Sequence, residues 1–276
     1  MRIFERKTKS KNNPGIAAIF TEHEPVTILA GMAQSVGKTR DHMEDAAMSM
    51  VWQQGFCEQK RSVGLFIVAD GMGGHSNGEL ASKIAIQRFY ESFDLSSLVK
   101  AETIEPDLVQ SLMEASFNKA QEAVLENVNG GGSTLTVTLV VEKMIFFAHV
   151  GDSRLYLISE HDQPERLTRD HSLVQRLVDL GQITNAEAEY HPQKNVLFRA
   201  LGQTDGFKVD QGQHELARPM RLLLCSDGLW GLVDEKRLAE VVRSSEPAAE
   251  RAKMLCKLAN EAGGNDNIST IVVDIF

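Results

Sequence analysis

A chain of 276 residues, 42% hydrophobic and 24% charged, has apolar material for one large domain or two small ones. Its formal net charge of −9 disfavours nucleic acid or an anionic membrane surface as the main partner. No apolar run approaches the roughly 18 residues of a membrane span, and nothing resembling a secretory leader follows the basic start at Arg2, Arg6, Lys7, Lys9 and Lys11. Cys57, Cys225 and Cys256 are few and far apart, which suits unpaired thiols in a reducing cytoplasm.

In chain order, residues 1–25 read as a mobile basic tail, broken by Asn12-Asn13-Pro14-Gly15 and closed by Pro25. Strands are expected at 26–35 and 46–53, around a charged loop from Gly37 to Asp45. A third strand at 63–69 precedes helices at 77–93 and 105–127, joined by a polar connection. After the break at Gly130-Gly131-Gly132, closely spaced β-type runs at 134–141, 144–150 and 154–159 predict antiparallel hairpins, since parallel crossovers need longer connections. Residues 170–201 take helical spacing through Leu173, Leu177 and Leu180, as an inserted, mostly helical lobe. Strands return at 207–213 and 220–226, helices at 234–243 and 247–262, and a last strand at 268–276. Two mainly antiparallel sheets covered by helices is the simplest layered solution.

The stretch from Phe66 to His75 organises the chain. An apolar run ends in Asp70, and Gly71-Met72-Gly73-Gly74 follows. A phosphate-binding P-loop would need Lys-Ser/Thr after its last glycine, but Gly78 is followed by Glu79-Leu80. The dinucleotide pattern fails at Ser76, where a third glycine belongs. A tight turn with a solvated aspartate is the bland reading; a hard-cation site with Asp70 as ligand is the other.

Further acids favour the cation. Asp152 lies between two strands, Asp227-Gly228 repeats the grammar of Asp70-Gly71, Asp266 precedes the last strand, and Glu44-Asp45 opens the second. Carboxylates gathered without a cation repel one another, whereas Mg²⁺ or Mn²⁺ turns the cluster into a site. No His-x-x-x-His or Cys-x-x-Cys spacing suggests zinc.

These residues resemble the metal-dependent serine/threonine protein phosphatases of the type 2C (PPM) family, bacterial members above all. The resemblance runs from Thr27 to Phe276. It is carried, in order, by Arg40…Glu44-Asp45, Val68-Ala69-Asp70-Gly71-Met72-Gly73-Gly74, Gly132-Ser133-Thr134, Val150-Gly151-Asp152-Ser153-Arg154, Leu167-Thr168-Arg169-Asp170-His171-Ser172, Cys225-Ser226-Asp227-Gly228-Leu229-Trp230 and Gly264-Asn265-Asp266-Asn267-Ile268-Ser269. It implies an α+β fold, a four-layer α/β/β/α sandwich of two mainly antiparallel sheets flanked by helices, with 26–276 as a single catalytic domain and 170–201 as a flap.

The resemblance further implies a two-ion Mg²⁺ or Mn²⁺ centre. Asp70 would bridge both ions, the Gly71 carbonyl would ligate one, and Asp227 and Asp266 would hold the other. Asp152 would serve a weaker third ion, shared with Asp227. Asp45 with Glu44 would orient metal-bound water, and Arg40 would bind the substrate phosphate through its planar donors. Asn267 would support the Asp266 loop. Phosphoserine and phosphothreonine would be hydrolysed by direct attack of a metal-bridging hydroxide, with phosphorylated proteins as partners, including a Ser/Thr kinase and its substrates. A cytoplasmic monomer acting in signalling is expected.

The energetics agree. Phosphate monoester hydrolysis calls for accelerations approaching ~10²¹-fold, and side-chain acid–base catalysis supplies only about 10²–10⁴, so paired metals must supply much of the rest. The three cysteines lack the Cys-x₅-Arg loop of a thiolate phosphatase. Met72 stands where some relatives carry a histidine, leaving the general acid open among His75, His42 and water. Other readings are a phosphodiesterase or nuclease, disfavoured by the acidic balance, and a non-catalytic scaffold, which would be expected to have lost ligands.

Overall fold

The computed structural model describes residues 26–276 except 57–58, 74–75, 102, 205 and 217–218. The expected tail at 1–25, Cys57 and His75 therefore lie outside the described residues.

The elements run β1 (Ile28–Ser35), β2 (Ala46–Phe56), β3 (Gln59–Ala69), β4 (Gly71–Met72), α1 (Ser76–Ser92), α2 (Leu95–Lys100), α3 (Pro106–Asn127), β5 (Gly132–Ser133), β6 (Leu135–Val141), β7 (Met144–Val150), β8 (Arg154–Ile158) and β9 (Glu165–Arg166). Then follow α4 (Leu173–Asp179), α5 (Asn185–Glu189), β10 (Asp210–Glu215), β11 (Met220–Cys225), α6 (Asp227–Trp230), α7 (Glu235–Arg243), α8 (Ala248–Glu261) and β12 (Ile268–Ile275). One sheet has the order β1-β12-β11-β8-β9 and the other β10-β7-β6-β3-β2, with β4 and β5 as a separate ribbon. Every strand pair among the described residues is antiparallel.

Strand β3 explains the layering. Successive side chains point to opposite faces, and both faces of β3 are covered. Leu65, Ile67 and Ala69 pack with Ala81, Ala85 and Phe89 of α1 and Phe117 of α3. Phe66 and Val68 turn inward and meet Leu222, Leu224, Ile271 and Val273 of the opposite sheet. That second sheet sends Leu223 and Val272 outward against Leu238, Val242, Ala252 and Leu255 of α7 and α8. A strand buried on both faces reads as an unbroken apolar run rather than an alternating one. The result is helices, sheet, sheet, helices, as the resemblance implied.

Several elements differ from expectation. The polar connection holds the short helix α2, capped by Asp94, whose side chain accepts from the Ser97 N–H. It buries Leu98 but too little else to leave a periodic apolar signal. The 170–201 segment is less helical than its leucine spacing suggests: α4 and α5 are joined and followed by turns. Leu180 is exposed and is the C-cap of α4, immediately before Gly181, where the helix is expected to stop. Strand β10 starts at Asp210, not at 207. Among the described residues no helix is long and apolar enough to cross a membrane.

Candidate metal centre and active site

All the strand-end acids come to one end of the two sheets. Seven of the eight predicted site residues line a single cleft of about 410 Å³: Arg40, Glu44, Asp70, Gly71, Asp152, Asp227 and Asp266. The eighth, Asp45, lies behind that wall, where its carboxylate accepts a 2.8 Å hydrogen bond from Ser226 Oγ.

Asp70 joins β3 to β4, and its backbone is fixed on both sides. Its N–H donates to Thr134 Oγ1 at 2.8 Å, and its carbonyl accepts from the Thr134 N–H at 2.8 Å and from Ser133 Oγ at 3.1 Å. Gly71 then pairs with Ser133, and its Cα runs so close to α1 that a Cβ would sit 2.0 Å from the Gly78 carbonyl oxygen. No residue with a side chain fits there.

Asp227 follows β11 after Ser226, as the first residue of α6, and its Oδ1 is buried without a hydrogen-bond partner among the described residues. Asp266 precedes β12. The side chain of Asn267 beside it accepts from the Glu44 N–H at 2.6 Å and donates to the carbonyls of Val36 and His42, tying the 36–44 loop to the head of β12. Glu44 itself pairs through Oε1 with His42 Nε2 at 3.1 Å, and its carbonyl accepts from Ser82 of α1. Asp152 sits between β7 and β8. Its carbonyl accepts from Trp230 Nε1 at 3.0 Å, and the Arg154 guanidinium stacks 3.6 Å over that indole while bonding Asp170 through Nε and Nη2.

The electrostatics are those of a site built for a cation. Burial pushes the carboxyls of Asp70 and Asp152 well above the usual range, and neighbouring acids, Asp45 foremost for the first and Asp227 for the second, push them further. Burial raises Asp45 to about 7 and Asp227 to about 6, with Asp266 adding to the latter. Such a cluster resists ionisation until a cation neutralises it.

Among the described residues no three His, Cys, Asp or Glu side chains crowd closely enough to enclose an ion by themselves. Zinc in a structural cage is therefore a poor match. Mg²⁺ and Mn²⁺ suit the donors better: these oxygen-seeking ions keep several waters and need only one or two carboxylates each. The Asp227 Oδ1, without a hydrogen-bond partner among the described residues and at a cleft lined by acids, fits that demand.

Arg40 lies at the rim, half exposed, with Nη2 bonded to Asp266 Oδ2 at 2.7 Å. Met72 lines the cleft where some relatives place a histidine. Cys225 is buried and burial drives its thiol strongly up, while Cys256 is raised to about 11, so neither is a nucleophile at neutral pH. Asn195 and Leu197 also border the cleft. Sequence reasoning missed them because they lie in an irregular stretch with no motif.

The comparisons agree with this geometry. The family described as Protein phosphatase 2C matches residues 45–261. The chain is 37% identical over 240 residues to the serine/threonine phosphatase stp of Listeria innocua, covering 86% of this chain and 92% of that protein. The solved serine/threonine phosphatase of S. agalactiae superposes with a TM-score of 0.78 at 30% identity, over 90% of this chain and 99% of the other. The catalytic domain of the phosphatase PstP, solved with two manganese ions, gives 0.74 at 29% identity, over 91% and 99%. A matching family model over most of the chain, the layered fold and the aspartates gathered at one cleft lead to one assignment: the chain belongs to the protein phosphatase 2C family, as a bacterial-type, metal-dependent phosphoprotein phosphatase.

Proposed function

We propose that the cleft hydrolyses phosphoserine and phosphothreonine in proteins in a single step, with water as nucleophile and no phosphoenzyme. The convergence of Asp70, Asp152, Asp227 and Asp266 on one cleft with Arg40 at its rim is the observation that supports this reading. Asp70, the Gly71 carbonyl, Asp227 and Asp266 would hold the paired ions, and Asp152 would serve a weaker third position. When bound, paired Mg²⁺ or Mn²⁺ ions supply an activated water and neutralise charge on the phosphoryl group.

The chain's own residues do the rest. The rigid backbone around Asp70 fixes where the ions sit, which matters because misplacement of about 1 Å can cost ~100-fold in rate. Asp45, held by Ser226 behind the cleft wall, and Glu44 in that wall would orient the attacking water. Arg40 exchanges its Asp266 oxygen for those of the substrate phosphate, a planar match to a tetrahedral anion. The substrates are phosphorylated proteins, and a bacterial Ser/Thr kinase is the opposing enzyme. The chain acts as a cytoplasmic monomer.

The deciding experiment is hydrolysis of a phosphothreonine peptide with and without Mn²⁺, beside Asp227→Asn. Metal-dependent turnover lost in the variant supports the centre. Rapid acid quench with ³²P-labelled substrate should leave no label on the protein; a labelled protein would exclude direct attack by water.

A further inference from the structure

We infer that His171 is a positioning residue for the Asp152 loop, and that it joins this loop to the segment bordering the cleft. The inference rests on the reading of Asp152 as a metal ligand. Its basis is the way Gly151, the residue before Asp152, is held. The Gly151 N–H donates to His171 Nδ1 at 3.0 Å, and the Gly151 carbonyl accepts from the His171 N–H at 2.7 Å. Both backbone polar groups of Gly151 thus end on one residue. The glycine needs such holding: its φ is +113°, and a Cβ there would lie 2.5 Å from the Thr134 side chain.

The far side of the ring is equally committed. Because Nδ1 accepts from the amide, the neutral ring carries its proton on Nε2. That nitrogen lies 3.0 Å from Asp210 Oδ2, at the head of β10. Arg199 Nη1 approaches the same nitrogen at 3.0 Å and reaches Asp210 Oδ1 at 2.7 Å, so both donors converge on one carboxylate. The His171 carbonyl in turn accepts from the Phe198 N–H, one residue beyond the cleft-lining Leu197. The ring is buried against His149, with centroids 4.9 Å apart.

On the other flank of Asp152, Ser153 Oγ lies 2.8 Å from Thr134 Oγ1, the same oxygen that accepts from the Asp70 N–H. Asp152 is therefore held through its neighbours on both sides. One flank shares an anchor with Asp70, and the other depends on His171. Groups that orient a metal's ligands typically affect affinity about 10–100-fold. Removing the imidazole should weaken binding of the third ion, which uses Asp152 together with Asp227, and spare the paired ions held by Asp70, Asp227 and Asp266.

The test is a Mn²⁺ titration of metal-free protein, followed by the electron paramagnetic resonance of free Mn²⁺, on the parent, H171A, H171N, H171Q and D152N. An asparagine oxygen can take the place of Nδ1 but does not reach Asp210, whereas a glutamine amide reaches toward Nε2 and abandons Gly151. H171A is expected to weaken the last Mn²⁺ bound by roughly tenfold or more, H171N to recover most of it, and H171Q to recover little. A D152N variant that loses that ion beside an H171A that keeps it overturns the inference alone. A D152N variant that keeps every ion overturns the ligand reading, and the inference with it. Should H171A not fold, the order of H171N and H171Q decides: recovery by glutamine and not by asparagine is the refuting result.

Discussion

Replacing Asp227 by Asn should make the metal-free protein more stable while removing its ability to use metal. The Oδ1 atom of Asp227 is buried without a partner among the described residues, and desolvation and Asp266 raise its carboxyl from 3.8 to about 6. At about 1.4 kcal/mol per pH unit, holding this group ionised in the folded chain costs about 3 kcal/mol. The sign follows from linkage. A folded-state value above the unfolded one means the cost is absent below pH 3.8, grows as pH rises, and is complete above about 6. The isosteric amide carries no charge, so the variant gains about 3 kcal/mol at pH 8 and only about 0.5 kcal/mol at pH 4. For a domain of this size that is a rise of roughly 6–12 °C in Tm at pH 8. Thermal unfolding in EDTA at the two pH values measures it. In Mn²⁺ at about 1,000 times its Kd the order should reverse, because the bound ligand adds about 4.1 kcal/mol to the parent, more than the variant's lead, and little to the variant. A variant no more stable than the parent at pH 8 in EDTA would refute the reasoning. So would a gain of equal size at pH 4.

Arg40→Ala should lower kcat/KM for a phosphopeptide about 10–100-fold, the value of a charge-assisted contact of ~1.5–3 kcal/mol. Its Tm should barely change, because the Arg40–Asp266 pair is exposed and surface pairs contribute ~0–1 kcal/mol; steady-state kinetics beside calorimetry separates the two. Gly71→Ala forces a methyl to within 2.0 Å of the Gly78 carbonyl and should cost about 3 kcal/mol or more, with Mn²⁺ affinity falling alongside Tm. Phe117→Ala removes a ring packed edge-on to Phe89 at 5.4 Å and should cost about 3–5 kcal/mol in urea unfolding. Turnover per folded molecule should be unaffected, since Phe117 lies on the helix side of β3, away from the cleft.

Much of the architecture could be read from the chain because burial on both faces leaves an unmistakable mark. Strand β7 covers the expected 144–150, and β3 ends at Ala69 with its acid next in line. The helix α7 starts after Asp234, which caps it as an aspartate should. What escaped reading lacks either length or periodicity. The two-residue strands β4 and β5 are defined by each other across a long stretch of chain, which no local pattern encodes, and β9, paired to nearby β8, is too short to show a period. The 170–201 segment is shaped by backbone contacts such as the Leu173 N–H to the Val196 carbonyl, so its leucine spacing overstated the helix. In the site, the strand-end position of each acid was legible from residue order. The pairing of Arg40 with Asp266 was not, since it joins residues 226 positions apart.

The acids of the centre are drawn from both sheets: Asp70 follows β3 of one, while Asp227 and Asp266 flank β11 and β12 of the other. An ion held among them is a rivet through the two leaves of the sandwich at one end. Inner-face packing of residues such as Phe66 against Leu224 must otherwise hold the leaves together. Loss of the ion and parting of the leaves at that end are then thermodynamically one event. Slowed amide hydrogen exchange at the site ends of β3, β11 and β12 should appear together as Mn²⁺ is added. The cation is in this sense a clasp of the fold as well as an instrument of its chemistry.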